Sequence, residues 1–185
     1  MKFSRIFFFL FLFQIQDVHL DAYLDYKSPF HPTISKNGMV VSQNLESSEI
    51  GSMILESGGN AVDAAVAVGF SLTTTLPRAG NIGGGGFMLV YIKESEELFS
   101  IDYRSRSSLN SNLKALFGSK SPAQIQDHDY DLTKYDYKAS AVPGTVYGLL
   151  EAHERFGKLP LEKVLQPVID QARNGIIVSY DLHNA

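Results

Sequence analysis

Four glycines in succession, Gly83 to Gly86, are the first feature of this 185-residue sequence to invite a chemical reading. With Gly80, Asn81, Ile82 and Phe87 around them they tempt assignment as a phosphate-cradling loop. A dinucleotide fingerprint needs a strand before it, a helix after it and G-x-G-x-x-G spacing. Here a helical pattern precedes and a strand pattern follows, and Met88 stands where the third glycine belongs if counting starts at Gly83. No Lys-Ser or Lys-Thr pair follows, which removes the P-loop as well. Four residues without a Cβ mark instead a place where backbone passes very close to other backbone or to a ligand. Packing is the first expectation and a substrate-site role the second.

The remaining chemistry-bearing residues do not assemble on spacing alone. His19, His31, His128, His153 and His183 show no metal-ligand spacing and are expected at the surface. Asp127, Asp129 and Asp131 alternate, yet no glycine and glutamate follow at calcium-loop positions, so a solvated loop is expected. No G-x-S-x-G elbow exists. The sequence has no cysteine, which excludes a disulfide framework, a thiolate zinc site, an iron–sulfur cluster and a cysteine nucleophile. Thr73, Thr74 and Thr75 fall at a helix end and Thr145 just before a helix, so no threonine offers itself as a nucleophile. No catalytic residue is assigned within this chain.

The elements that would carry a site read as mixed α/β. Asn37-Gly38 signals a turn and Met39 to Val41 a short strand. Glu46 to Ser57 has Ile50, Met53 and Ile54 on one face and ends at Gly58-Gly59, a helix signature. Asn60, with Asp63 three residues on, caps a second helix from Ala61 to Thr73. That helix is apolar almost all round and must be buried on several sides. Phe87 to Ile92 is a continuous apolar run, expected as a strand covered on both faces. Leu98 to Arg104 pairs with it as a hairpin, placing Phe99, Ile101 and Tyr103 on one face and Ser100, Asp102 and Arg104 on the other. Read that way, Arg104 forms an ordinary surface ion pair with Asp102. Ser105 to Tyr137 is a polar, irregular surface excursion. Two helices close the chain, Thr145 to Arg155 and Leu161 to Arg173, each with a glycine just beyond.

Composition bounds the class. Apolar residues make up 44% and charged residues 19%, enough for a packed core. The formal charge of -4 argues against a nucleic-acid binder, which would want a basic face. At the N-terminus, Lys2 and Arg5 precede the apolar run Ile6 to Phe13, too short for the roughly 20 residues of a membrane span. A charged segment followed by a short apolar one is the pattern of a secretory signal peptide, here residues 1–22. Residues 23–37, with Pro29 and Pro32, read as an extended lead-in. The expected destination is periplasmic or extracellular, with no stable membrane span, or tethered to the membrane where the segment is not cleaved.

Five blocks in register then bear a resemblance. They are Gly38-Met39-Val40-Val41; Gly58 to Ala67; Gly80 to Met88; Ile101-Asp102-Tyr103-Arg104; and Val142-Pro143-Gly144-Thr145 with Gln166-Pro167 to Gly175. Together they resemble the N-terminal part of the γ-glutamyltransferases, with residues 38–185 matching the N-terminal portion of the large subunit. The resemblance implies an N-terminal-nucleophile hydrolase with an α/β/β/α sandwich, incomplete in this chain. It implies a precursor that cuts itself into large and small subunits and frees a threonine whose own amine activates its hydroxyl. That threonine attacks the γ-glutamyl amide of glutathione or a related compound, and water or an acceptor amine resolves the acyl-enzyme. The small subunit is the implied partner, and no cofactor or metal is implied. Arg104 matches the arginine that grips the α-carboxylate of the glutamyl group, a task suited to a planar guanidinium fork. The family commonly follows that arginine with an acidic residue and an Ala-Pro-like step. Here Ser105, Arg106 and Ser107 follow, and Arg106 shares the strand parity of Arg104, so either could hold the carboxylate. The chain matches only part of a full member. A fragment of a self-processing enzyme is expected; the alternatives are a short, non-catalytic binding protein or the product of a decayed gene.

Overall fold

The computed structural model describes residues 32–109, 111–129 and 136–184. The expected signal peptide and the first part of the lead-in, with His19 and His31, lie outside the described residues. Residues 37–185 form one compact unit, and residues 32–36, the described part of the other, contain neither helix nor strand.

Local chemistry sets the first two helices. Helix α1 (Leu45–Glu56) starts where the Asn44 side chain accepts the Ser47 N–H at 3.0 Å. Gly58, at φ +90°, turns the chain out of it into a region that favours glycine. Helix α2 (Ala61–Thr75) begins with the expected reciprocal cap. Asn60 accepts from the Val62 and Asp63 N–H groups, and Asp63 accepts from the Asn60 N–H, all at 2.9 Å. Small residues then let neighbours approach closely. A Cβ on Gly51 of α1 would stand 2.7 Å from both Val40 and Val68, and one on Gly69 would stand 2.9 Å from Leu149.

Strands β1 (Phe87–Ile92) and β2 (Glu97–Asp102) form an antiparallel hairpin whose register pairs Met88 with Ile101 and Val90 with Phe99. A turn at residues 93–96 joins them, with Glu96 in the left-handed region at φ +56°. Met88, Val90, Ile92, Phe99, Ile101 and Tyr103 turn inward, onto a core that includes Ile54, Val66 and Ala67. The opposite face is bare. Phe87, Leu89, Tyr91 and Leu98 are each at least 60% exposed, so β1 is covered on one face rather than on both as expected. A continuous apolar run does not reveal which of its faces has a partner within the same stretch of chain.

The rest of the chain is helical with a small second sheet. Strand β3 (Arg106–Ser107) pairs with β4 (Ala141–Val142), tying together the two ends of the polar excursion. Between them the described residues include α3 (Leu113–Phe117), the 3-10 turns Pro122–Gln124 and Tyr137–Ala139, and helical residues 127–129. Helix α4 (Thr145–Phe156) and helix α5 (Leu161–Asn174) pack against α2, and α6 (Tyr180–His183) follows. Asp63, fully buried, also fastens the α4–α5 connection by accepting the Lys158 N–H at 3.0 Å and the Leu159 N–H at 3.2 Å. Serines and a threonine join the helices inside: Ser47 lies 2.8 Å from Ser71 and 2.9 Å from Thr75, and Ser71 donates to Gln171 of α5 at 2.8 Å.

Three further expectations fail here for identifiable reasons. Met39 to Val41 is not a strand, because no strand edge among the described residues pairs with it. Val40 packs on Gly51 instead, while Met39 and Val41 stay exposed. His153 is largely buried rather than a surface residue. Its Nε2 lies 2.9 Å from the Leu159 carbonyl and 3.6 Å from the Asp63 carboxylate, because the α4–α5 turn folds back over the start of α2. Asp129 is not solvated: it is 7% exposed, paired with the Lys120 ammonium and accepting the Gln126 N–H at 3.0 Å. His128, His183 and Asp127 are exposed as expected, and Asp131 lies outside the described residues.

Candidate functional site

The end of β2 is shaped by its own residues. The Asp102 carboxylate accepts the Arg104 N–H at 3.0 Å, the side-chain-to-backbone pattern by which aspartate mimics a turn and ends a ladder. The ladder nevertheless persists one pair beyond the strand, since Tyr103 N–H donates to the Gly86 carbonyl at 3.1 Å and Gly86 N–H to the Tyr103 carbonyl at 3.3 Å. Tyr103 points inward, as strand alternation requires. Burial of its ring raises the phenol pKa above its ordinary value.

The glycines exist to admit this segment. A Cβ on Gly85 would overlap the backbone of Tyr103 to Ser105. One on Gly144 would overlap the Tyr103 carbonyl, and one on Gly148 or Gly86 the Tyr103 ring. The Gly84 carbonyl accepts from both Gly144 N–H at 2.8 Å and Thr145 N–H at 3.1 Å, which locks the glycine run to the start of α4. Gly85 thus makes the close backbone approach expected first, and Gly86 a close approach to a ring. The glycine run therefore bears on the site indirectly, by fixing the strand end that carries Arg104.

Around that strand end lies an open cavity of about 450 Å³. Arg104 and Arg106 line it from the end of β2 and from β3, and Tyr147, Glu151 and Arg155 line it from α4. Among the described residues, neither the Arg104 nor the Arg106 guanidinium has an ion pair, so the alternative reading of Arg104 as paired with the Asp102 side chain is not what the structure shows. Asp102 is spent on a backbone N–H instead. Both arginines are exposed. Past the Tyr103–Gly86 pair the chain leaves this ladder, and Arg106 belongs to β3, which pairs with β4, so strand parity no longer relates Arg104 to Arg106. Sequence reasoning missed Arg155. It lies near the end of α4 and reaches the cavity only because α4 packs against β2, a long-range contact with no local signal. Among the described residues no three of His, Cys, Asp and Glu gather as a metal site. No helix there is long and apolar enough to cross a membrane.

Comparison with known proteins places these features in a family. The family model for gamma-glutamyltranspeptidase matches residues 47–185. The glutathione hydrolase proenzyme of Escherichia coli is 42% identical over 150 residues, 81% of this chain and 25% of the relative. That of Pseudomonas aeruginosa is 41% identical over 152 residues, 82% of this chain and 26% of the relative. The crystal structure of the Helicobacter pylori gamma-glutamyltranspeptidase superposes with a TM-score of 0.73 at 34% identity, covering 83% of this chain and 42% of that one. The chain thus spans about a quarter of the length of these two relatives. The hairpin with helices packed on one face is accordingly part of the N-terminal-nucleophile hydrolase fold of those structures. On the family-model match and on identities above two fifths, this chain belongs to the gamma-glutamyltranspeptidase family.

Proposed function

We propose that residues 38–185 form the N-terminal portion of the large subunit of an exported γ-glutamyltransferase or glutathione hydrolase, and that Arg104 binds the α-carboxylate of the γ-glutamyl group. The observation that carries this reading is the state of Arg104. Its backbone is clamped by glycine contacts on two sides, its guanidinium has no anionic partner among the described residues, and it lines an open cavity. An exposed guanidinium without an anionic partner, carried on a closely packed backbone, is free to take a carboxylate, which it can engage by two parallel hydrogen bonds. Held in that way, the γ-glutamyl head is anchored at one end while its amide is presented elsewhere, and part of the barrier is met by orientation.

The nucleophile belongs to sequence outside this chain in this reading. A threonine released by self-cleavage forms the acyl-enzyme, and water or an amine resolves it. The chain on its own is therefore inactive, and the small subunit is its partner. Residues 1–22 direct export. The E. coli and P. aeruginosa relatives are both named as proenzymes, which supports a self-processing precursor here.

The test is Arg104→Ala in the complete enzyme. Loss of a charge-assisted pair costs about 1.5–3 kcal/mol, so kcat/KM for a γ-glutamyl amide is expected to fall roughly ten- to a hundredfold. Arg104→Lys, which keeps the charge but not the fork, recovers part of the loss. An unchanged kcat/KM in Arg104→Ala removes the residue from the site.

A further inference from the structure

The same cavity contains more positive charge than one carboxylate can use. Arg155 is held against two aromatic rings, its guanidinium carbon 4.8 Å from the Phe156 centroid and 5.8 Å from that of Phe99. Stacking of this kind fixes a guanidinium in place while leaving its edge free to donate. Its nearest carboxylate, Glu151, stands one helical turn back at 3.7 Å, beyond hydrogen-bond distance. Arg106 has no ion pair among the described residues. Three arginines thus face two carboxylates, Asp102 and Glu151, and Asp102 already accepts a backbone N–H.

We infer that Arg106 and Arg155 form a second carboxylate subsite beside Arg104, selecting γ-glutamyl donors whose leaving group carries its own carboxylate, such as γ-glutamyl peptides with a free C-terminus. This deepens the proposed function and rests on its reading of Arg104. The charge balance favours it. A γ-glutamyl head is zwitterionic, so binding it leaves the single net positive charge of this chain's described lining in place. A neutral leaving group changes nothing, whereas one carboxylate cancels that charge. Arg155 and Arg106 reach the cavity from different walls, α4 and β3, and both line it together with Arg104.

The experiment compares, in the complete enzyme, glutathione with the same tripeptide amidated at its C-terminus. The wild type is expected to favour the acid in kcat/KM by about tenfold, the lower range for a hydrogen bond to a charged group. In the double variant Arg106→Gln, Arg155→Gln that ratio is expected to fall close to one, and raised salt should erode it in the wild type. Arg155→Met, which keeps an apolar stem over Phe99 and Phe156, serves if Arg155→Gln disturbs folding, and it should lower the ratio in combination with Arg106→Gln. A wild-type ratio near one, or a ratio unchanged in the double variant, overturns the proposal. Arg104→Ala separates the two readings. It should lower acid and amide in step, and if it lowers neither, the assignment of Arg104 fails whatever the ratio does in the double variant.

Discussion

The surroundings of a single carboxylate decide the pH at which it stops supporting a fold. Asp129 accepts from the Lys120 ammonium and from the Gln126 N–H, and these bonds, the Lys120 bond foremost, hold its pKa below the ordinary value of 3.8 despite the cost of burial. A folded-state pKa below the unfolded one contributes stability that is fully present above the unfolded value. That contribution is lost as pH falls below about 3.8 and through the lower folded value. Lys120→Met is therefore expected to lower stability at neutral pH, with the difference from the wild type shrinking to nothing in strong acid. Denaturant unfolding of both proteins across that range checks the sign. A difference independent of pH would mean the loss is one of packing, not of charge. Nothing in the alternation of Asp127, Asp129 and Asp131 foretells this burial, because the partner lysine returns from nine residues earlier through turns that carry no periodic signal. Arg104 was legible as a candidate for the opposite reason. It ends a strand with clear alternation inside a block that resembles a family, although the acceptance of its backbone N–H by Asp102 carries no signal in the sequence.

At the scale of elements, the junction of β2 with α4 sets the position of the candidate site. Gly148 lies in the first turn of α4, buried against the Tyr103 ring, at a place where a helix would ordinarily prefer alanine by about 1 kcal/mol. That preference is overridden because a methyl group there has no room. Gly148→Ala should push Tyr103, and with it the backbone carrying Arg104, away from α4. Overpacking of this kind typically costs about 1–3 kcal/mol. A lower unfolding midpoint and, under the proposed function, a raised KM for γ-glutamyl donors in the complete enzyme are the expected results. A variant of unchanged or higher stability would show that the junction yields, and that the glycine serves no packing role. The elements that could be read from sequence were those whose determinants are local. The Asn60–Asp63 cap, the all-round apolar character of α2 and the hairpin of Phe87–Ile92 with Leu98–Arg104 all depend on neighbours within a few residues. Met39 to Val41 was misread because a strand needs a partner edge, and an edge is a property of the assembled sheet rather than of three residues.

Across the whole molecule, the imbalance between the two faces of the β1–β2 hairpin is the dominant physical fact. One face lies on the core of four helices, while Phe87, Leu89, Tyr91 and Leu98 stand 65%, 71%, 60% and 66% exposed on the other. Tyr91 and Leu98 are directly paired across the strands, so the apolar surface is contiguous rather than scattered. Contiguous apolar surface beside an open strand edge drives association, and β2 has no partner but β1 among the described residues. The chain produced by itself is therefore expected to self-associate in a concentration-dependent manner. Leu89→Lys with Tyr91→Thr places a charge and a smaller β-branched residue on that face while leaving Met88, Val90 and Ile92 on the core. Sedimentation velocity over a range of concentrations should then show the variant shifting toward monomer, with its helical signal retained. Equal association in the variant and the parent chain would place the sticking surface elsewhere. In the complete enzyme the same two substitutions should be more damaging than in the isolated chain, because a face that is costly to expose is one that the rest of a larger fold has reason to cover. A complete enzyme that tolerates them with normal yield and activity would show that the face is solvent-facing there too.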